Sequence, residues 1–488
     1  MPKKVIIIGG GIAGLSAGCY AQMNGYQSEI YEMNSMAGGL CTGWKRKDYI
    51  FDGCVHWLVG SGPASAYYPL WEEIGAVQGK HILDYDYFIK VADGSGKLFT
   101  VYTDPDRFAQ EMLAIAPEDR RQILRITRDI RRLMRSELPA EFTWKNLVPA
   151  IRAIRIIYKY RQPITDLAGK FRNPALQYFF KNGLDWGEIC SAFLLWTLAQ
   201  MSTRRAGYPI GGSLDLIRSI VDRYHKLGGS IHFHSRVSGI LVENDKAVGI
   251  RLADGEEVRG DIVVSAADGH TTIFNWLKGK YTSPAVLKAY SDYPLFPPLV
   301  YISLGINGDY SREAHSLNFE ITKPFQIGPT SIKFLFLRNY SMDPTMAPAG
   351  KSVFTLMIST DFDYWQALYN DREAYKKEKE RIARAVVENL EARYPGIGKQ
   401  VEVTDVATPN TFVRYTGNWR GSYEGWLMTR KNMNQRNLMT IPGLGNFYMV
   451  GHWVSPGGGL PAGLITGRIA VKKMCRKDRK KFVTSRTG

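Results

Sequence analysis

Residues 5–39, VIIIGGGIAGLSAGCYAQMNGYQSEIYEMNSMAGG, decide the fold of this 488-residue chain. The apolar run Val5 to Ile8 reads as a strand entering Gly9-x-Gly11-x-x-Gly14. A helix is predicted behind it, and a second strand ends on Glu32. Strand, tight turn, helix, strand and acidic residue form the context in which GxGxxG denotes dinucleotide binding. Gly9 permits the turn, Gly11 lets backbone approach a pyrophosphate, and Gly14 lets the helix pack closely on the strand. The start of the helix, at Ile12 and Ala13, offers free N–H groups and a partial positive charge to phosphate. Glu32, 18 residues after Gly14, is placed to accept from a ribose diol, and its charge argues against a 2′-phosphate there.

Shortly after Glu32 stand Gly38, Gly39 and Leu40, a second place where bare backbone can lie against a ligand. This spacing resembles the extended motif of two-dinucleotide-fold flavoproteins. That resemblance implies FAD as the cofactor, contacted by the fingerprint, the acidic residue and the Gly-Gly pair. Many such proteins carry Arg after the Gly-Gly; Leu40 departs from that pattern and removes the polar contact expected of it.

Residues 446–470, NFYMVGHWVSPGGGLPAGLITGRIA, add an independent block. An apolar strand meets Gly451, a glycine triplet follows, and a helix is predicted to start near Pro461, where proline's missing N–H costs nothing. Its positive end could face the electron-rich edge of a reduced flavin. Here the chain resembles the phytoene desaturase, carotenoid isomerase and retinol saturase family of FAD oxidoreductases. Gly451, Pro456, Gly457, Gly458, Gly459 and Pro461 match that family's C-terminal motif. The resemblance implies cofactor contacts at Gly451, Gly459, Leu460 and Ala462. Amine oxidases typically place an acidic residue after the strand glycine, whereas this chain has His452.

Residues 208–268 fit the same family. An amphipathic helix is expected from about Leu214 to Leu227, with Leu214, Ile217, Val221 and Tyr224 at helical spacing. Strands follow around 230–236, across turns at Asn244-Asp245 and Asp254-Gly255, and finally over Ile262 to Ser265. The residue matching Val237 lies against the adenine in the family.

Composition narrows the class. The five cysteines form neither CxxC nor an even framework, so they read as reduced thiols of a cytoplasmic protein, with no metal site. The apolar run after MPKK is too short for a signal peptide. Ile189 to Met201, the longest later apolar stretch, falls short of the roughly 20 residues that span a bilayer.

The net charge of +17 is carried by two windows. Residues 120–172 contribute +10 and residues 471–488 contribute +7, leaving the rest neutral. In the first window Ile123, Ile126, Ile130 and Leu133 share one helical face and Arg121, Arg125, Arg128, Arg132 and Arg135 another. After Pro149, Ile151, Ile154 and Ile157 repeat the pattern opposite Arg152, Arg155 and Lys159. Such helices either lie on an anionic membrane surface or present a solvated face over the core. No motif accompanies the charge to indicate nucleic acid.

The expected fold class is α/β: a discontinuous Rossmann-like FAD-binding domain (1–75, 205–275, 440–475) with an inserted α+β substrate domain (76–204, 276–439) and a basic tail (476–488). The inserted parts should hold a hairpin over 86–91 and 97–102, the basic helices, strands near 299–304, 331–337 and 352–358, and a helix over about 372–393. A second strand-GxGxxG-helix unit is absent from the sequence. Reduction by NAD(P)H would therefore use the substrate channel, or an external electron donor or acceptor would serve.

FAD carries the chemistry, and the protein supplies orientation, a dry cavity and electrostatics. Two histidines fall where the family places the flavin face, His56 and His452. His56 is the catalytic candidate, either protonating a substrate carbanion, orienting a polar head group or serving structurally. Arg414 and Tyr415 lie in a segment similar to one the family places beside substrate, where Tyr423, Trp426 and Trp419 would line an apolar tunnel. The reading is an FAD oxidoreductase acting on carbon–carbon bonds of a hydrophobic isoprenoid, carotenoid or lipid, by desaturation, saturation or isomerisation. It would be cytoplasmic and peripheral at the inner membrane face. The alternatives are a flavin amine oxidase, or a membrane-surface binding protein that retains FAD structurally.

Overall fold

A computed structural model describes residues 1–136, 147–183, 187–435 and 438–485. Glu137, Glu141 and Lys145 of the basic window, and Arg486 of the tail, lie outside the described residues.

Three separated stretches of chain build one parallel sheet. The first supplies strand β1 (Lys4–Ile8), helix α1 (Ile12–Met23) and strand β2 (Gln27–Tyr31). The second supplies α2 (Gly212–Lys226), β3 (Ser230–His232) and β4 (Ile262–Ser265). The third supplies β5 (Phe447–Met449) and α3 (Gly459–Lys477). The strand order is β3-β2-β1-β4-β5, every neighbouring pair parallel. Val5, Ile6 and Ile7 are fully buried, as suits a strand covered on both faces. Order reverses between β1 and β4, and at such a switch point an open α/β sheet leaves a crevice beyond its strand ends.

Small residues set the helix spacing. A Cβ on Gly18 would stand 2.7 Å from the Tyr224 ring of α2, and one on Gly467 of α3 would stand 2.7 Å from the Ala17 nitrogen of α1. The tail runs back over this domain, where the Val483 N–H donates to Asn24 (2.8 Å) and Arg468 stands over the Phe482 ring.

The other two stretches share a seven-stranded sheet, ordered 401–407, 299–306, 352–359, 330–339, 316–327, 87–92, 98–102. It is antiparallel except where 316–327 meets 87–92. Val300, Ile302, Leu304, Leu335 and Leu337 pack against Ile382, Val386 and Leu390 of the Arg372–Arg393 helix in one core.

The two basic helices behave differently. In the Arg120–Met134 helix Ile123, Ile126, Ile130 and Leu133 are at most 1% exposed, and Arg121, Arg125, Arg128, Arg132 and Arg135 face solvent. Burying each aliphatic chain contributes about 1.5–3 kcal/mol, so this helix is anchored in the core. The Leu147–Lys159 helix departs from the sequence reading. Its buried stripe is Ala150, Ala153 and Ile156, while Val148, Ile151, Ile154 and Tyr158 are exposed. Ala153 and Ile156 share one core with Ile123, Ile126 and Ile130 of the first helix. Ile151 and Ile154 are left outside beside Arg152 and Arg155, and Ile157 is half-buried.

Candidate functional site

One cavity of about 770 Å³ lies beyond the carboxyl ends of β1 and β4. Gly9, Gly11, Ile12, Ala13, Glu32, Gly38, Gly39, Leu40, His56, Val237, Gly451, Gly459 and Leu460 all line it. Of the candidate cofactor residues, Gly14 and Ala462 do not. Gly14 is buried beneath the turn, where a Cβ would collide with the Gly9 carbonyl. Ala462 sits in the first turn of α3, and its carbonyl accepts from the Thr466 hydroxyl (2.6 Å).

The glycine segments are held to one another. Gly38 N–H donates to Gly10 O (2.9 Å), and Gly11 bridges Gly38. Gly38 (φ 131°) and Gly39 (φ 60°) adopt backbone conformations that favour glycine. Glu32 is 4% exposed and accepts from the Gly10 N–H (2.7 Å) and from the backbone and side chain of Asn34 (2.9 and 2.8 Å). That network fixes the carboxylate at the cavity edge.

Two helices open on this cavity with no side chain capping their first N–H groups: α1 behind Gly11 and α3 behind Gly458. Uncapped helix starts are anion sites. A cavity that presents two of them, with an acidic residue near the first and glycine backbone near both, fits a flavin dinucleotide. The pyrophosphate would lie at α1 and the electron-rich flavin edge at α3. Ser235, Arg236 and Val237 wall the end near Glu32.

Burial shifts several titratable groups of the wall toward their neutral forms. His56 lies well below its ordinary range, through desolvation and then the Arg338 guanidinium, and its Nε2 has no partner. His452 is lowered to about 4 by burial, and its Nε2 is likewise unpartnered. Asp268, just past β4, is raised to about 6 by burial although the N–H groups of Thr271 (2.7 Å) and Trp419 (2.9 Å) donate to it. Glu424 is raised to about 7 by burial. Sequence reasoning missed both acids. Asp268 carries a positional signal, standing directly after a buried strand; Glu424 carries none.

The aromatic tunnel is a partial match. Of the three expected residues only Tyr423 lines the cavity; Tyr415, expected beside substrate, lines it as well. Trp419 and Trp426 do not; they pack with Tyr290 and Trp453 in a separate cluster. Arg414 stays outside as well, over the Tyr415 ring. The remaining wall is apolar, with Trp57, Phe193, Trp196, Leu299, Met357 and Phe412. Among the described residues no cluster of His, Cys, Asp or Glu could hold a metal ion.

Fold and site together define a flavin-dependent oxidoreductase. The flavin containing amine oxidoreductase family matches residues 12–475, and the chain belongs to it. Its cofactor is FAD. Curated relatives include the chloroplastic prolycopene isomerase of Daucus carota, 22% identical over 95% of this chain and 78% of that protein. They also include a neurosporene-forming phytoene desaturase of Cereibacter sphaeroides, 24% identical over 96% and 94%. Solved structures with the same fold include an oxidoreductase from Methanosarcina mazei (TM-score 0.61, 17% identity, 96% of this chain, 100% of that one). Putrescine oxidase is another (TM-score 0.63, 12% identity, 97% and 99%).

Proposed function

We propose that this flavoenzyme makes, reduces or rotates carbon–carbon double bonds in a long isoprenoid or carotenoid chain drawn from a membrane surface. One observation carries the reading: the cavity that holds the glycine segments also reaches the Leu147–Lys159 helix, where Ile154, Ile157 and Tyr158 line it. On that helix Val148, Ile151, Ile154 and Tyr158 are 40% to 57% exposed, flanked by exposed Arg152, Arg155 and Lys159. Apolar side chains beside basic ones suit the boundary between acyl chains and anionic headgroups. No described helix is long and apolar enough to cross a membrane. A hydrocarbon substrate nearly insoluble in water would thus enter from the bilayer at the mouth of the cavity.

Bound FAD supplies hydride acceptance or donation. The chain does the rest. Gly9, Gly11, Gly38 and Gly39 leave room for the dinucleotide, Glu32 orients its ribose, and the apolar wall excludes water and aligns the hydrocarbon. His56 and His452, both neutral, offer hydrogen bonds without adding charge. The relatives named for prolycopene and phytoene chemistry support the substrate class.

The test is turnover of phytoene and prolycopene presented in anionic liposomes to the FAD-loaded protein, with products separated by chromatography. Conversion of either supports the reading. Inertness toward both, with oxidation of a primary amine, would place the protein with the amine oxidases. Inertness toward all three would leave a membrane-surface protein that keeps FAD structurally.

A further inference from the structure

Glu424 has no assigned task, and its placement is specific. A Cβ on Gly458 would stand 2.6 Å from the Glu424 carbonyl oxygen and 2.8 Å from its Cβ, and one on Gly459 would stand 4.0 Å from Oε1. The carboxyl therefore hangs in the cavity beside the first residue of α3, at the end where the flavin edge is read to lie. No hydrogen bond or ion pair holds it among the described residues, and burial alone raises its pKa to about 7. Glu424 is half-buried, and a carboxyl with a raised pKa that opens into a cavity without a partner is a functional-site candidate with a physical rationale.

Its neighbours leave it as the proton carrier. Cys54, which lines the same cavity beside Cys41, is raised well above the ordinary thiol range, first by the hydrogen bond with Cys41 and then by burial. His452, packed against Gly425, is neutral above about pH 4. The adjoining Tyr423 lines the same cavity. Asp268, on the same cavity, is raised to about 6 but is held by the N–H groups of Thr271 and Trp419. Glu424 has no such partner and is free to gain and lose a proton near neutral pH, the condition for efficient general acid–base work.

We infer that Glu424 is the acid–base residue of this site, exchanging a proton with one carbon of the hydrocarbon chain while the adjoining carbon exchanges a hydride with the bound flavin. The inference rests on the isoprenoid reading above. In the oxidative direction two neighbouring C–H bonds break. One hydrogen leaves with its electron pair as hydride to oxidised FAD. The other leaves as a proton to the Glu424 carboxylate, and its electron pair becomes the new π bond. In the reductive direction the protonated carboxyl returns the proton, and the hydride comes from reduced FAD.

The experiment uses the FAD-loaded protein and its Glu424→Gln and Glu424→Asp variants. Glu424→Gln should keep flavin and be bleached fully by dithionite. Its desaturation of phytoene should fall by roughly 10²–10⁴-fold, and the pH–rate limb near 7 should vanish. Glu424→Asp should retain part of the rate with that limb displaced. Independently of turnover, the wild type should show a protonated-carboxyl infrared band, sensitive to D₂O, that titrates near pH 7 and is missing in Glu424→Gln. Full phytoene desaturation in Glu424→Gln, or a carboxyl band unchanged by the substitution, overturns the inference. A wild type inert toward both polyenes overturns the isoprenoid reading instead. The infrared titration needs no substrate, and a missing band there overturns the inference by itself.

Discussion

The Tyr160 hydroxyl donates to the Asp129 carboxylate across 3.0 Å, joining the end of the Leu147–Lys159 helix to the middle of the Arg120–Met134 helix. Asp129 is 1% exposed and also accepts from Arg132 (3.0 Å) and from Lys159. Burial pushes this carboxyl up, but the hydrogen bonds from Lys159 and Tyr160 outweigh it and hold it below the usual range. Asp129→Asn should therefore lower stability by about 1–3 kcal/mol, measured by urea unfolding at pH 7. A depressed carboxyl contributes stability above its unfolded pKa and loses it as pH falls through the folded one. The gap between wild type and variant should close below about pH 4. A gap constant with pH would remove the charge from the account.

Membrane docking should need both the charge and the exposed apolar residues. Arg132 pairs with buried Asp129, so reversing it would disturb the fold; Arg121, Arg125 and Arg128 are exposed and suit the test better. Each basic residue near an anionic surface is worth about 1 kcal/mol. Reversing these three to Glu should abolish flotation with anionic vesicles at low salt. Ile151→Ser with Ile154→Ser should weaken flotation at every salt concentration, because that contribution is not screened. Equal flotation of all variants would return these helices to a solvated face.

Gly14 and Gly11 should fail in different ways. A side chain on Gly14 meets the Gly9 carbonyl, so Gly14→Ala should lower the melting temperature of the apoprotein. A Cβ on Gly11 would meet Gly38 O at 3.7 Å, an ordinary contact, and the cavity lies beyond. Gly11→Val should therefore fold and elute normally but purify without yellow colour. A yellow Gly11→Val protein would mean that the cofactor does not pass this glycine.

These glycines show what was legible in the sequence. A tight turn, a helix start and a strand end are fixed within a few residues of chain, so the fingerprint, Glu32 and the PGGG loop could be placed from local chemistry. The Leu147–Lys159 helix could not. Its isoleucine period is real, but which face is buried is set by the tertiary core it joins, and there Ala150, Ala153 and Ile156 face inward. The same holds for Glu424. Nothing in GSYEGW separates it from a surface glutamate, because its place beside Gly458 joins residues distant in sequence and adjacent in space. Trp419 and Trp426 failed in the other direction, as core residues whose aromatic content resembled a tunnel wall.

His56 should tune the reaction without titrating in it. Its neutral state, held by burial and by Arg338, persists across the working pH range. His56→Ala should keep FAD and lower kcat about tenfold, equivalent to about 1.4 kcal/mol of barrier, leaving the pH–rate limb near 7 in place. Loss of that limb in His56→Ala would transfer the acid–base role from Glu424 to His56. Unchanged kcat would make His56 structural.

The central claim is that one cavity holds both FAD and a long unsaturated hydrocarbon. It is tested most directly by gentle purification of the protein from membranes, solvent extraction, and mass spectrometry of the extract with quantitation against FAD. The account predicts an isoprenoid or polyene near one per FAD, diminished in Phe193→Glu and Trp196→Glu variants that place charge in the apolar wall but retain flavin. FAD-loaded protein carrying no isoprenoid, and unable to take one up from liposomes, would contradict it.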